Sequence, residues 1–159
     1  QTLNDHEEKS LQCLLNKVDI ENIFLILPEK FKENFNYQNI KKIYFDDKYF
    51  KSQKTYNRLL LSIDFFLKFD SYNYILIYQL DSFLIKGVNE LKNFYGEDYI
   101  GSPHFNVKKR RFNGVLNGGF SMRAVGASIK VLRSEKTNIT FDALISALRY
   151  FAGFNSSTH

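Results

Sequence analysis

Three short stretches of this sequence carry side chains that could do chemistry. The first, Tyr78-Gln79-Leu80-Asp81-Ser82-Phe83, directly follows the best strand candidate of the chain, Tyr74–Tyr78. Gln79 and Asp81 stand two apart, so in extended backbone their side chains share a face. A carboxylate at the exit of a strand can take a divalent cation, because Mg²⁺ and Mn²⁺ prefer oxygen donors and share them with a diphosphate. The same residue can equally cap a turn over Ser82–Ile85, and the spacing leaves both roles open. The second stretch runs from Asn113 to Arg123 and contains Asn117-Gly118-Gly119-Phe120-Ser121. Paired glycines let a ligand approach the backbone closely. Asn117 and Ser121 offer neutral groups suited to sugar hydroxyls. A hairpin turn entering a strand is the commoner meaning of Asn-Gly. No Gly-Lys-Ser/Thr follows, so this is not a phosphate-binding P-loop, and the glycine spacing is not that of a dinucleotide fingerprint. The third stretch is Asp98-Tyr99-Ile100-Gly101-Ser102-Pro103-His104, a short strand ending in a turn. His104 has no neighbouring Cys, His or Glu at metal-ligand spacing, so it is open between ligand, acid–base group and plain loop residue.

Pattern along the chain says what must position these residues. Apolar residues at 11, 14, 15 and 18 mark an amphipathic helix within 5–18, around 7–18, and Ile23–Leu27 is a continuous apolar run stopped by Pro28. Lys42–Phe45 is a shorter strand ended by Asp46-Asp47. Tyr56, Leu59, Leu60, Ile63 and Leu67 predict a second helix over 56–68. Asp98–Gly101 and Phe120–Met122 read as further short strands. Phe141, Leu144, Ile145 and Leu148 predict a last helix over 139–151, capped by Thr137 or Asn138. Strand, helix, strand, helix, strand implies an α/β fold. Its sheet is mostly parallel, with Ile23–Leu27 and Tyr74–Tyr78 interior, and ligands gather at the carboxyl ends of such strands.

Composition narrows the class. The chain has 159 residues, enough for one domain with a real core. Its net charge of +5 is uneven: residues 1–80 carry 11 basic and 11 acidic side chains, residues 81–159 carry 11 and 6. Lys108-Lys109-Arg110-Arg111 reads as a solvated loop or as a loop that meets phosphates. No recognition helix or aromatic RNA-binding motif supports a nucleic-acid partner, and none is expected. The high aromatic content follows the abundance of Lys, Asn, Ile, Phe and Tyr, residues with A/T-rich codons, and carries no functional weight. One cysteine, Cys13, cannot form an internal disulfide and suits a reducing cytoplasm. No stretch reaches the apolar length of a transmembrane segment.

Taken in order, the three stretches resemble the glycosyltransferase-like family catalogued as domain of unknown function 5672. Its pattern is Tyr-Gln-x-Asp, then Asp-Tyr-Ile-Gly-x-Pro, then Asn-Gly-Gly-Phe-Ser-x-Arg. These stand here as Tyr78–Asp81, Asp98–Pro103 and Asn117–Arg123. Tyr49-Phe50, Tyr56–Leu60 and Glu8–Leu11 are similar too. The resemblance implies a GT-A-like (Rossmann-like) fold, a nucleotide-sugar donor and a divalent metal, Mn²⁺ or Mg²⁺. The acceptor is a glycan, lipid-linked or protein molecule in bacterial surface glycan synthesis. In such enzymes the last Asp of an Asp-x-Asp element binds the metal. Gln79-Leu80-Asp81 stands at that place, with Gln for the first Asp, so Asp81 alone keeps the metal role. Gln79, Asp81, Asn117, Gly118, Gly119, Ser121 and Arg123 are then the substrate-binding residues. Arg110, Arg111 or Arg123 add positive charge at the leaving group. No catalytic base is identified. The expected organisation is a single domain over 1–159, lacking the family's opening strand before Gln1 and a Pro-Glu-Asp-like segment after His159. The expected location is cytoplasmic, or peripheral at the inner face of the membrane. A noncatalytic carbohydrate- or nucleotide-binding module is the alternative reading.

Overall fold

The computed structural model describes residues 3–32, 39–106 and 110–134, and for 104–106 and 111–117 the backbone alone. Its elements belong to two compact units: Gln1–Leu61 with Leu80–Asn93, and Ser62–Gln79 with Phe94–His159. No helix among the described residues is long and apolar enough to cross a membrane.

The first unit opens with helix α1, Asp5–Leu15. Asn4 starts it: its side-chain oxygen accepts from the His6 and Glu7 amides, and Glu7 reaches back to the Asn4 amide at 2.9 Å. That reciprocal arrangement satisfies amides that have no partner inside the helix, and Asp5, Glu7 and Glu8 lie at the positive end of the helix dipole. Leu11 buries against Ile23 and Ile40, with Leu14, Leu15, Val18, Leu25 and Leu80 packed around them. Strands β1 (Phe24–Pro28) and β2 (Lys41–Phe45) pair in parallel, from Phe24 against Lys41 to Pro28 against Phe45. Helix α2, Gln53–Leu59, begins at Ser52, whose hydroxyl and amide exchange hydrogen bonds with Thr55.

The second unit holds helix α3, Ile63–Leu67, capped by Ser62, whose hydroxyl accepts from the Phe65 amide at 3.2 Å. Phe65, Phe66 and Phe69 are nearly fully buried, and their rings pack edge-on or tilted. Strands β3 (Tyr74–Tyr78), β4 (Tyr99–Asn106) and β5 (Arg111–Ala124) form one sheet in the order β3-β5-β4. Both pairings are antiparallel. Helix α4, Val125–Ser134, follows β5 and buries Val125, Ser128 and Val131.

The expected mostly parallel, Rossmann-like sheet of the GT-A type is therefore not what this chain forms. Its described residues form a two-stranded parallel sheet and a separate three-stranded antiparallel one. β1 and β3, expected as interior strands of one sheet, lie in different sheets, and among the described residues β3 pairs only with β5. The connection after β3 gives the reason. A parallel return needs a crossover, usually an α-helix. Between β3 and β4 the chain has only a 3-10 segment, Val88–Phe94. The helix expected over 56–68 is two helices, broken at Leu60–Ser62 where Ser62 caps the second. The helix expected over 139–151 and its caps lie outside the described residues, as do Lys108 and Lys109.

Candidate functional site

The chain leaves β3 through Gln79 and turns at Leu80-Asp81. Gln79 extends the β3–β5 ladder by one step, its amide donating to the Gly119 carbonyl at 2.8 Å. The turn ends the extended backbone, so the two-residue alternation expected to align Gln79 with Asp81 stops at Gln79. Leu80 is fixed in the apolar cluster of Leu11, Ile23 and Ile40. The residues after Asp81 are held by a polar stripe on and just past α1. The Ser10 hydroxyl donates to the Ser82 carbonyl at 2.6 Å, and the Cys13 thiol donates to the Leu84 carbonyl at 3.3 Å. The Lys17 ammonium donates to the carbonyls of Leu84 and Ile85. The His6 ring meets the Phe83 ring edge-on, with centroids 5.1 Å apart. Positions 6, 10, 13 and 17 share a helix face by their spacing of four, three and four.

Asp81 itself is exposed. Its carboxylate lies 3.5 Å from the Ser82 hydroxyl. Residues 82–85 adopt no helix or turn, so there is no helical turn at Ser82–Ile85 for it to cap. Among the described residues no three His, Cys, Asp or Glu side chains stand together as metal ligands. Asp81 thus offers one oxygen-donor group at the surface. That donor set does not build a closed metal cage. It does fit an ion that a ligand's phosphates and water coordinate in common with it, which is how Mg²⁺ is usually held.

The glycine-rich stretch is strand, not turn. Asn117 to Gly119 lie inside β5, where Asn117 pairs with Ser102 beside a register shift in β4. Arg123 is 6% exposed and Ser121 1%. The Arg123 Nε donates to the Ser121 hydroxyl at 3.1 Å, and its Nη2 donates to the Gly118 carbonyl at 3.4 Å. Ser121 donates to the same carbonyl at 3.1 Å. A Cβ on Gly118 would come within 3.1 Å of the Arg123 guanidinium. Close approach does explain this glycine, but the approaching group is the protein's own arginine.

β4 supplies the other half of this cluster. Tyr99 pairs with Arg123 and Gly101 with Ser121. The Arg123 guanidinium lies over the Tyr99 ring, 5.6 Å from its centroid. Tyr99 folds back along its own strand, so a Cβ on Gly101 would fall 2.8 Å from its hydroxyl. That hydroxyl is buried and has no hydrogen-bond partner among the described residues.

Of the expected site residues, Gly118, Ser121 and Arg123 come together, and Gln79 joins them through the Gly119 backbone. Asp81 belongs to the other compact unit. Arg110 is exposed, with a positive φ of 47°. Tyr99 and Gly101 stand two apart and so share a strand face, as Ser121 and Arg123 do, but the spacing does not say which strand lies against which. The stripe Ser10, Cys13 and Lys17 was masked by the apolar periodicity of the same helix. An open depression along α1, lined by Asp5, Glu8, Gln12, Cys13 and Lys17 among others, contains none of the expected site residues.

No curated protein and no solved structure matches this chain. The sequence profile of the family described as Protein of unknown function (DUF5672) matches residues 39–156, from just before β2 onward, and the chain belongs to that family.

Proposed function

We propose that this protein transfers a sugar from a nucleotide-sugar donor to a glycan, lipid-linked or protein acceptor. Asp81 is the carboxylate that shares a divalent cation, Mn²⁺ or Mg²⁺, with the donor diphosphate. The observation that supports this most is the state of Asp81. It is exposed and caps nothing, on a turn fixed on one side by Leu80 and on the other by the bond from Ser10 to Ser82. Its one hydrogen bond among the described residues is the long one from the Ser82 hydroxyl, at 3.5 Å, so the carboxylate keeps acceptor capacity for a ligand on a turn already held in place.

In the proposed reaction the acceptor oxygen attacks the anomeric carbon. The bond to the diphosphate oxygen breaks, and its electron pair leaves with the diphosphate. A cation held by Asp81 supplies Lewis-acid neutralisation of that leaving group. Arg123 has another role, because its guanidinium is engaged with Gly118 and Ser121. It holds the backbone of β5 in shape.

One observation favours a second reading, a noncatalytic module that binds nucleotide or carbohydrate. Asp81 stands without a second carboxylate in its motif, since Gln79 occupies the first place. Release of radiolabelled sugar from donor to acceptor separates the two. Binding is tested by melting with UDP-glucose, GDP-mannose and CMP-sialic acid, each with and without Mn²⁺. The parent gains a Mn²⁺-dependent rise with at least one donor, and Asp81→Asn keeps the apo melting temperature but loses that rise. Equal stabilisation of Asp81→Asn and parent defeats the assignment.

A further inference from the structure

Phe94 and Tyr95 are 45% and 57% exposed, large rings in water at the edge of the second unit. Tyr95 is nonetheless held in one orientation. Its ring stacks on Tyr74 with centroids 4.9 Å apart and planes within 5° of parallel. The Tyr74 hydroxyl is itself pinned, accepting from the Gly96 amide at 2.7 Å. Gly96 has φ of 112°, a conformation open to glycine and strained for other residues. Tyr74 opens β3 and pairs with Ala124 of β5, so the stack rests on the three-stranded sheet. One face of Tyr95 is thus covered by Tyr74, and the rest of a rigid ring faces solvent.

A fixed, half-exposed aromatic ring leaves apolar surface in water. What it offers is a flat platform whose face carries negative partial charge. Three kinds of ligand stack on such a face: a nucleobase, a cation and the C–H face of a sugar ring. The neighbouring charges choose among them. From Phe94 to Asp98 the charged side chains are Glu97 and Asp98, and the nearest preceding cation in the chain is Lys92. Adjacent carboxylates repel the phosphates that accompany a nucleobase, whether in a nucleotide or a nucleic acid. They accept hydrogen bonds from sugar hydroxyls. A sugar ring also meets the platform with C–H groups, whose positive partial charge complements the ring face. A simple cation would need no second exposed ring, and Phe94 supplies one.

We propose that Tyr95, with Phe94 next to it in the chain, binds a neutral glycan. The site is separate in residue and in ligand from the donor contacts at Asp81. The probes are the neutral hexasaccharides of maltose, cellobiose and chitin type, with an anionic heparin hexasaccharide as counter-probe. Binding is read by NMR saturation transfer from tyrosine ring protons and by titration. At least one neutral hexasaccharide binds, and the heparin fragment binds more weakly or not at all. Tyr95→Ala weakens the neutral glycan about tenfold or more, the usual effect of removing an aromatic anchor. Tyr95→Phe keeps affinity within about twofold, because the stacking face is retained. Phe94→Ala, which leaves the Tyr74–Tyr95 stack untouched, weakens binding several-fold and serves if Tyr95→Ala does not fold. Absence of binding by every neutral probe, parental binding by both alanine variants, or tighter binding of the heparin fragment overturns the proposal. The two readings fail separately. Tyr95→Ala leaves the Mn²⁺-dependent donor shift unchanged, and Asp81→Asn leaves glycan affinity unchanged. Glycan binding without any donor shift keeps this site and removes the transferase.

Discussion

β2 and β3 each run out into an exposed aspartate, and the two aspartates have different fates. Asp46 follows β2 directly and starts a 3-10 turn, Asp47–Phe50. Its carboxylate accepts from the Lys48 amide at 2.8 Å and pairs with the Lys48 ammonium at 2.9 Å. Asp81 follows β3 after two residues, and the chain beyond it makes no turn of its own. It is held from outside, by the side chains of α1. Position after a strand is therefore no sign of function by itself. What the next three residues do with the carboxylate decides whether it is structural or left for a ligand. Asp46 takes both the amide and the ammonium of Lys48, whereas among the described residues Asp81 takes from the chain that follows it only the Ser82 hydroxyl, at 3.5 Å.

Four measurements break or sharpen this contrast. The largest effect is expected with donor and Mn²⁺ present. At ligand one hundred times its Kd the parent gains about 2.7 kcal/mol. Asp81→Asn loses that gain, and Asp46→Asn keeps it. Equal loss in both variants, read by thermal melting, would erase the distinction between the two turns. The second concerns the buried cluster on β4 and β5, the opposite case of polar groups that serve the fold. Gly101→Ala pushes a Cβ into Tyr99 and costs about 2 kcal/mol in urea unfolding. Tyr99→Phe removes the unpartnered hydroxyl and is neutral, or stabilises by up to about 1 kcal/mol. A large loss in Tyr99→Phe instead would show that the hydroxyl has a partner. Third, Ser10→Ala deletes the bond to the Ser82 carbonyl and costs about 1 kcal/mol. It also weakens Mn²⁺-dependent donor binding, because the turn carrying Asp81 loosens. An unchanged donor affinity would show that α1 does not set that turn. The smallest effect is that of pH on Asp46. The Lys48 amide, then the Lys48 ammonium, hold its carboxyl below the ordinary range. A carboxyl depressed on folding adds stability above its unfolded pKa, and that stability is lost as pH falls through the folded one. Asp46→Asn should flatten this acid limb slightly, and Asp81→Asn should leave the Asp46 titration, followed by carboxyl NMR, unchanged.

Much of the local structure was legible, and the pairing was not. Tyr74–Tyr78 is a strand at the expected residues because an uninterrupted apolar run with β-branched centres has few alternatives. Helix α1 begins at Asp5, inside the expected span, and ends at Leu15 rather than at 18, because apolar periodicity does not register where a helix stops. The break near Leu60 was hidden for the same reason: Leu59, Leu60, Ile63 and Leu67 keep their period across two helices. Helix α4 was missed altogether, although Val125, Ser128 and Val131 carry its spacing. The partner of a strand is not written in its own residues. β3 would read the same beside a parallel neighbour, and only the lack of a crossover helix after Asp81 told against one. Asn117-Gly118-Gly119 misled because glycine and asparagine signal turns when the small residue serves the backbone. Here Gly118 is small to admit Arg123, a contact between residues five apart across the register shift where Gly101 pairs with Ser121 and Ser102 with Asn117.

The two compact units interleave along the chain, with passages at Leu61–Ser62, Gln79–Leu80 and Asn93–Phe94. That connectivity governs the order in which a nascent chain can finish. Until the chain past Leu80 has emerged from the ribosome, α1 lacks the segment that Ser10, Cys13 and Lys17 hold. β3 emerges before β5, the only strand it pairs with among the described residues, and must wait some forty residues for it. Neither unit can be cut out as one continuous fragment. A genetic truncation anywhere between Ser62 and Asn93 removes part of both, and rescue would require the missing piece to return to each unit at once.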